Sequence, residues 1–167
     1  SREAMNRGAS FETELALQSA MGSLSSANLT RAKLLFCEAL QEQGRWTESL
    51  TTIQEEHEWQ PGFQTARTAL ELRARASVTL EVGECEQLLN QVVALLEADD
   101  DLEAQMPAVL AASRLVWYLG GHSTLLTCLS DLHTRATDLS TRATLTSAIV
   151  TTAWATKRLK DFQEFRG

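Results

Sequence analysis

One turn position recurs along the chain at a nearly constant interval, and that interval restricts the fold more than any other feature. Gly44, in QEQGRWTESL, has a counterpart 39 residues later at Gly83, in LEVGECEQLL, and another 37 beyond that at Gly120, in WYLGGHSTLL. Gly8, in NRGASFETEL, precedes Gly44 by 36 residues, and Lys160, in KRLKDFQEF, follows Gly120 by 40. One turn per 36–40 residues is the spacing of stacked helix pairs.

The flanks keep the same register. Seven residues before each turn stand Cys37, Ala76, Ser113 and Ala153, all small enough to let the two helices of a hairpin approach. Five residues after it stand Ser49, Leu88, Leu125 and Phe165, and nine after it Ile53, Val92 and Leu129. At twelve, Leu95 and Leu132 extend the apolar face while Glu56 breaks it. These spacings belong to helical faces, not to alternating strands. With only eight Gly and two Pro and a surplus of good helix formers, the chain is expected to be all-α.

The reading predicts a first helix over 11–21, then pairs at 29–43 with 46–58, 64–82 with 84–98, and 103–119 with 123–138. A last helix covers 141–159, and its partner begins at Asp161. The units are 1–28, 29–62, 63–101, 102–139 and 140–167 of one helical-repeat domain. The connectors GSLSSAN, QPG and ADDD carry turn formers. Asp100 with Glu103 suits a capping box. Pro107 implies a helix that starts near Met106 or bends early. The chain opens on Ser1 and its periodicity still runs near Arg166, so it reads as a piece of something longer, truncated at both ends of the array.

The turn sequences resemble the tetratricopeptide repeat, in which a Gly is followed by an aromatic, an acidic and a small residue. Gly44, Trp46, Glu48 and Ser49 match that order, with Cys37 at the earlier small position. The resemblance covers about 29–167 and is closest in the first unit. Cys85 and His122 replace the aromatic, Lys160 replaces the Gly, and the period exceeds the family's usual length. Longer repeats of this kind resemble the superhelical sensor domain of maltose-regulator-type bacterial transcription activators. The resemblance implies a right-handed superhelix of stacked antiparallel helix pairs, about four repeats in all. In such a solenoid the first helix of each pair lines the concave surface.

Charge and motifs remove other classes. A net charge of −7 and no basic cluster beyond Lys157, Arg158 and Lys160 argue against direct nucleic-acid binding. No apolar run approaches a bilayer span. Cys37, Cys85 and Cys128 are far apart, which suggests free thiols in a reducing, cytoplasmic setting. His122, Cys128 and His133 lack the convergence of a metal site. Ser130, Asp131 and His133 share one helix and cannot form a triad. Residues 99–101 lack calcium-loop spacing, and Gly120-Gly121 lacks that of a phosphate loop. No cofactor, metal or catalytic residue is expected; the chain reads as a non-enzyme.

The inward row falls two, three, six and ten residues before each turn. It runs from Leu34, Glu38, Gln41 and Glu42, through Arg73, Ser77, Leu80 and Glu81, to Leu110, Arg114, Trp117 and Tyr118, and ends at Val150, Trp154, Lys157 and Arg158. Arg73, Arg114, Trp117, Tyr118, Trp154 and Arg158 are the candidate partner-binding residues, because aromatic and Arg side chains anchor partners best. The partner expected is a protein or peptide segment of acidic character. The competing reading buries Trp117 and Trp154 between repeats and spreads the Arg114 stem over an apolar edge. Two functions follow: a peptide-binding scaffold, or a small-molecule sensor of a transcription regulator. A homodimer through exposed repeat ends is a further expectation.

Overall fold

Helix formers fill the segments between turn residues, and those segments are helical. The computed structural model describes residues 2–56, 59–98 and 101–164, with side chains from 11 to 157 apart from 23, 26 and 27. Eight α-helices occur among the described residues: α1 (Arg2–Ala20), α2 (Ser26–Glu42), α3 (Trp46–Glu55), α4 (Gln64–Val78), α5 (Val82–Glu97), α6 (Leu102–Leu119), α7 (Ser123–Arg135) and α8 (Leu139–Glu164). Every extensive contact among them joins helices one or two places apart in the chain. The even-numbered helices α2, α4, α6 and α8 pack side by side in that order, and each odd-numbered helix packs against its chain neighbours.

The recurring turn is a true corner at two of its five positions. At Gly44 the chain leaves α2 through a Schellman motif: Arg45 N–H bonds the Leu40 carbonyl and Gly44 N–H that of Gln41, both at 2.9 Å. Gly44 has φ +79° and Gly120 has φ +88°, a region open to Gly without steric cost. Gly83 is different. The helix before it ends at Val78, four residues sooner than expected, and Gly83 lies in the first turn of α5. There the Glu81 carboxylate caps α5, accepting from Gly83 N–H at 3.1 Å and Glu84 N–H at 2.7 Å. Gly8 lies inside α1 and Lys160 inside α8, so neither turns the chain. No Pro or second Gly surrounds either one to stop a helix.

The start of α6 lies within one residue of the expected 103, but its cap and the place of its Pro differ. Asp101, not Asp100, caps α6, accepting from Glu103 N–H at 3.1 Å; Asp100 lies outside the described residues. Pro107 sits inside α6, within its second turn, where the missing N–H removes one ladder bond.

The apolar positions converge as their spacing predicts. Ile53, Val92 and Leu129, nine residues after the turns, are fully buried, and so are Leu88 and Leu125 at the five-residue position. Ser49 is also buried, where its hydroxyl donates to the Cys37 carbonyl at 3.1 Å. The α4–α6 contact is the most extensive, because Ala69 and Ala76 face Ala108, Ala111 and Ala112 and the backbones can close up. Gly121 allows a still closer approach: a Cβ there would lie 2.3 Å from the Thr156 Cα of α8.

Candidate functional site

Helical spacing assembles the site along the even-numbered helices. Residues 103, 107, 110, 114 and 117 recur at three- and four-residue steps and so share one face of α6; 66, 70, 73 and 77 do the same on α4, and 150, 154 and 157 on α8. Because α2, α4, α6 and α8 are neighbours, these faces join into one surface.

At the α6–α8 end this surface is aromatic. The Trp117 and Trp154 rings lie 5.0 Å apart at 53°, a tilted pairing favoured by ring quadrupoles. They are 58% and 47% exposed, and Tyr118 is 54% exposed. The reading that buries both tryptophans between repeats is therefore overturned. Their shared face points away from the core formed by Val109, Ala112, Leu115 and Val116. Val150, one turn before Trp154, extends the exposed apolar patch along α8.

The arginines are engaged within the chain. Arg114 reaches back to α4, where its Nε donates to the Ala76 carbonyl at 2.8 Å and its Nη2 to the Ser77 carbonyl at 3.0 Å. These are among the last carbonyls of α4, which lack helical partners, and a cation there also complements the helix dipole. The Arg114 guanidinium lies 5.8 Å from the Tyr118 ring centroid. Arg73 donates to Glu42 Oε1 at 2.6 Å and lies over Trp46 at 5.5 Å. The side chain of Arg158 lies outside the described residues. Thus Trp117, Trp154, Tyr118 and Arg114 are brought together, while Arg73 belongs to the opposite end of the face.

That opposite end is a groove of about 430 Å³ between α2, α4 and α6. Leu34, Leu70 and Phe63 contribute its apolar lining, and Pro107 and Leu110 form the α6 side. Glu38 and Glu42 of α2 face Glu103 and Asp101 at the start of α6. Glu38 is exposed to solvent along the groove. Desolvation raises its pKa, Arg73 opposes the rise, and the like charges of Glu42 and Glu103 reinforce it. Sequence reasoning placed Glu38 and Glu42 on the inward row but passed them over for the aromatic residues. It missed Phe63, which it assigned to no element, and Glu103 and Pro107, which it read as a cap and as a helix start or bend. Gln41, expected on the same row, is buried instead, donating to Ser49 Oγ at 3.0 Å and the Leu70 carbonyl at 2.8 Å.

Other candidate groups have local structural roles. His122 caps α7, its Nδ1 accepting from Leu125 N–H at 3.2 Å. The Ser130 hydroxyl donates to the Leu126 carbonyl of its own helix, and His133 Nε2 pairs with Thr146 Oγ1 at 3.2 Å. The three thiols are free and buried. Burial pushes Cys37 up to about 12, against the opposing hydrogen bond with Ser49, so it is a poor nucleophile. Among the described residues no three His, Cys, Asp or Glu side chains converge on a point that could hold a metal ion, and no helix is long and apolar enough to cross a membrane.

No family model matches this chain, and no curated protein or solved structure is significantly similar to it. The functional reading rests on the site's own geometry.

Proposed function

We propose that the helix pairs stack as a tetratricopeptide-type right-handed superhelix whose even-numbered helices form a non-catalytic docking face for a peptide or protein segment. The domain would serve as the interaction or regulatory part of a larger protein. The observation that carries this reading is the exposure of Trp117, Tyr118 and Trp154 in one patch, at one end of a face whose other end is an open groove. Large aromatic side chains are the strongest anchors of protein interfaces, and clustered exposed apolar area marks interaction sites. The nearest-neighbour contact pattern supports the solenoid, since in such folds each unit touches only its neighbours.

A peptide-array screen with the purified domain, followed by titration of the best binders, tests the reading. Trp117→Ala with Trp154→Ala should weaken binding by about tenfold or more while helicity stays unchanged. Unaltered affinity of every binder in that variant counts against the docking face. A small-molecule sensor is the second reading, favoured by a groove volume within the range of ligand pockets. It predicts a rise in Tm with a metabolite and none with peptides.

A further inference from the structure

We infer that the groove between α2, α4 and α6 takes a segment carrying a Lys or Arg side chain next to an apolar one; this rests on the docking-face reading and specifies its partner. The apolar half of the argument is the lining: Leu34 and Leu70 form a floor, and Leu110, 39% exposed, offers unburied area on one side. An aliphatic or aromatic side chain laid there removes both surfaces from water.

The charged half is the rim. Four carboxylates, Glu38, Glu42, Asp101 and Glu103, line the groove with two guanidiniums, Arg31 and Arg73. Arg73 already serves Glu42 and lies over Trp46, and Asp101 already caps α6. Glu38 and Glu103 remain, lining the groove from α2 and α6 with like charges that repel across it. A cation between them relieves that repulsion. The apolar lining beside the rim favours a cation carried on a side chain over a free ion, because the same segment then also covers Leu110. An acidic segment would meet the same rim with repulsion, a device for rejecting wrong partners.

The test uses two fluorescein-labelled peptides built from Leu, Ser and Lys or from Leu, Ser and Glu, titrated by anisotropy against the whole chain. The inference expects the Lys peptide to bind the more tightly. Glu38→Gln with Glu103→Gln should weaken it by about tenfold or more, as should Leu110→Ser. Glu84→Gln with Glu86→Gln, an equal charge change on the exposed face of α5, should leave it nearly unchanged. Equal loss in that α5 variant would reduce the effect to the net charge of the chain and overturn the inference. Tighter binding of the Glu peptide, still sensitive to Leu110→Ser, overturns the basic preference and leaves the docking face standing. Binding of both peptides that ignores Leu110→Ser and also Trp117→Ala with Trp154→Ala overturns the docking face as well.

Discussion

The two halves of the molecule are held by different forces. From α4 to α8 one continuous apolar cluster runs through every helix, from Ala69 and Leu72 to Leu145 and Ala155. From α1 to α4 the buried apolar cluster is small, comprising Leu34, Cys37, Ile53 and Leu70, with Trp59, Phe63 and Ala66 against it. There polar bridges add to the packing of buried residues such as Leu40 and Ile53. Arg45 joins buried Glu14 of α1 at 2.7 Å and grips Glu48 of α3 with two bonds, at 2.9 and 2.7 Å. Lys33 pairs with Glu56, and Gln41 ties α2 to α3 and α4. The contrast shows that a repeat array keeps its helix geometry while changing what secures it. Small residues such as Ala108 and Ala112 let the later helices close on apolar surface; the earlier ones meet across longer polar side chains.

The largest test of this contrast lies in the apolar half. Leu115→Ala should cost about 2–5 kcal/mol, measured by urea unfolding, since Leu115 is fully buried at the centre of the cluster. A loss well below that range would show that the apolar cluster does not secure this half. Next, Gly121→Ala should cost about 1–3 kcal/mol, because the added methyl meets the α8 backbone at Thr156 and not a movable side-chain tip. Tm by calorimetry reads this directly.

In the polar half, Arg45→Ala takes the countercharge from the buried Glu14 carboxylate, leaving it the amides of Gln43 and Gln18, and should lower Tm. Hydrogen exchange should show the loss confined to α1–α3, with α6 protected as before. If α6 loosens equally, the two halves unfold as one unit and the comparison fails.

The smallest effect concerns pH. The Glu38 carboxyl titrates above the ordinary 4.5 in the folded chain. A group raised in the folded state binds more protons there than in the unfolded chain, so its contribution is complete below the unfolded pKa and is lost as pH rises through the folded value. Glu38→Gln should therefore remove a small drop in Tm between mildly acidic and neutral pH. An unchanged pH profile would mean that Glu38 is fully relaxed by solvent.

Much of this architecture was legible because helical periodicity is a local signal. Cys37, Ile53, Val92, Leu125 and Leu129 were assigned to the buried face from spacing alone, and each is buried. Gly44 and Gly120 were legible as corners because a chain reversal after a helix favours a residue free to adopt positive φ. Gly83 misled because a Gly in a first helical turn has the same one-letter signature as a Gly past a helix end. Lys160 and Gly8 misled because the interval was extended to places with no breaker of their own. At the site, the aromatic row was legible, but its exposure was not, since periodicity identifies a face without saying what covers it. The engagement of Arg114 with the α4 terminus was out of reach for a different reason: residues 37 and 38 apart meet only through tertiary packing. The groove's acidic rim needed the same knowledge, because Glu38 and Glu103 come from helices that flank a third.

The Trp117–Trp154 pair spans two different helices, with ring centres 5.0 Å apart. At that separation two indoles couple as an exciton, whose circular-dichroism couplet depends steeply on distance and angle. The chain thus carries its own optical gauge between α6 and α8. Any occupant that wedges between the rings, or any motion that parts the two helices, should change that couplet before it changes the helical signal.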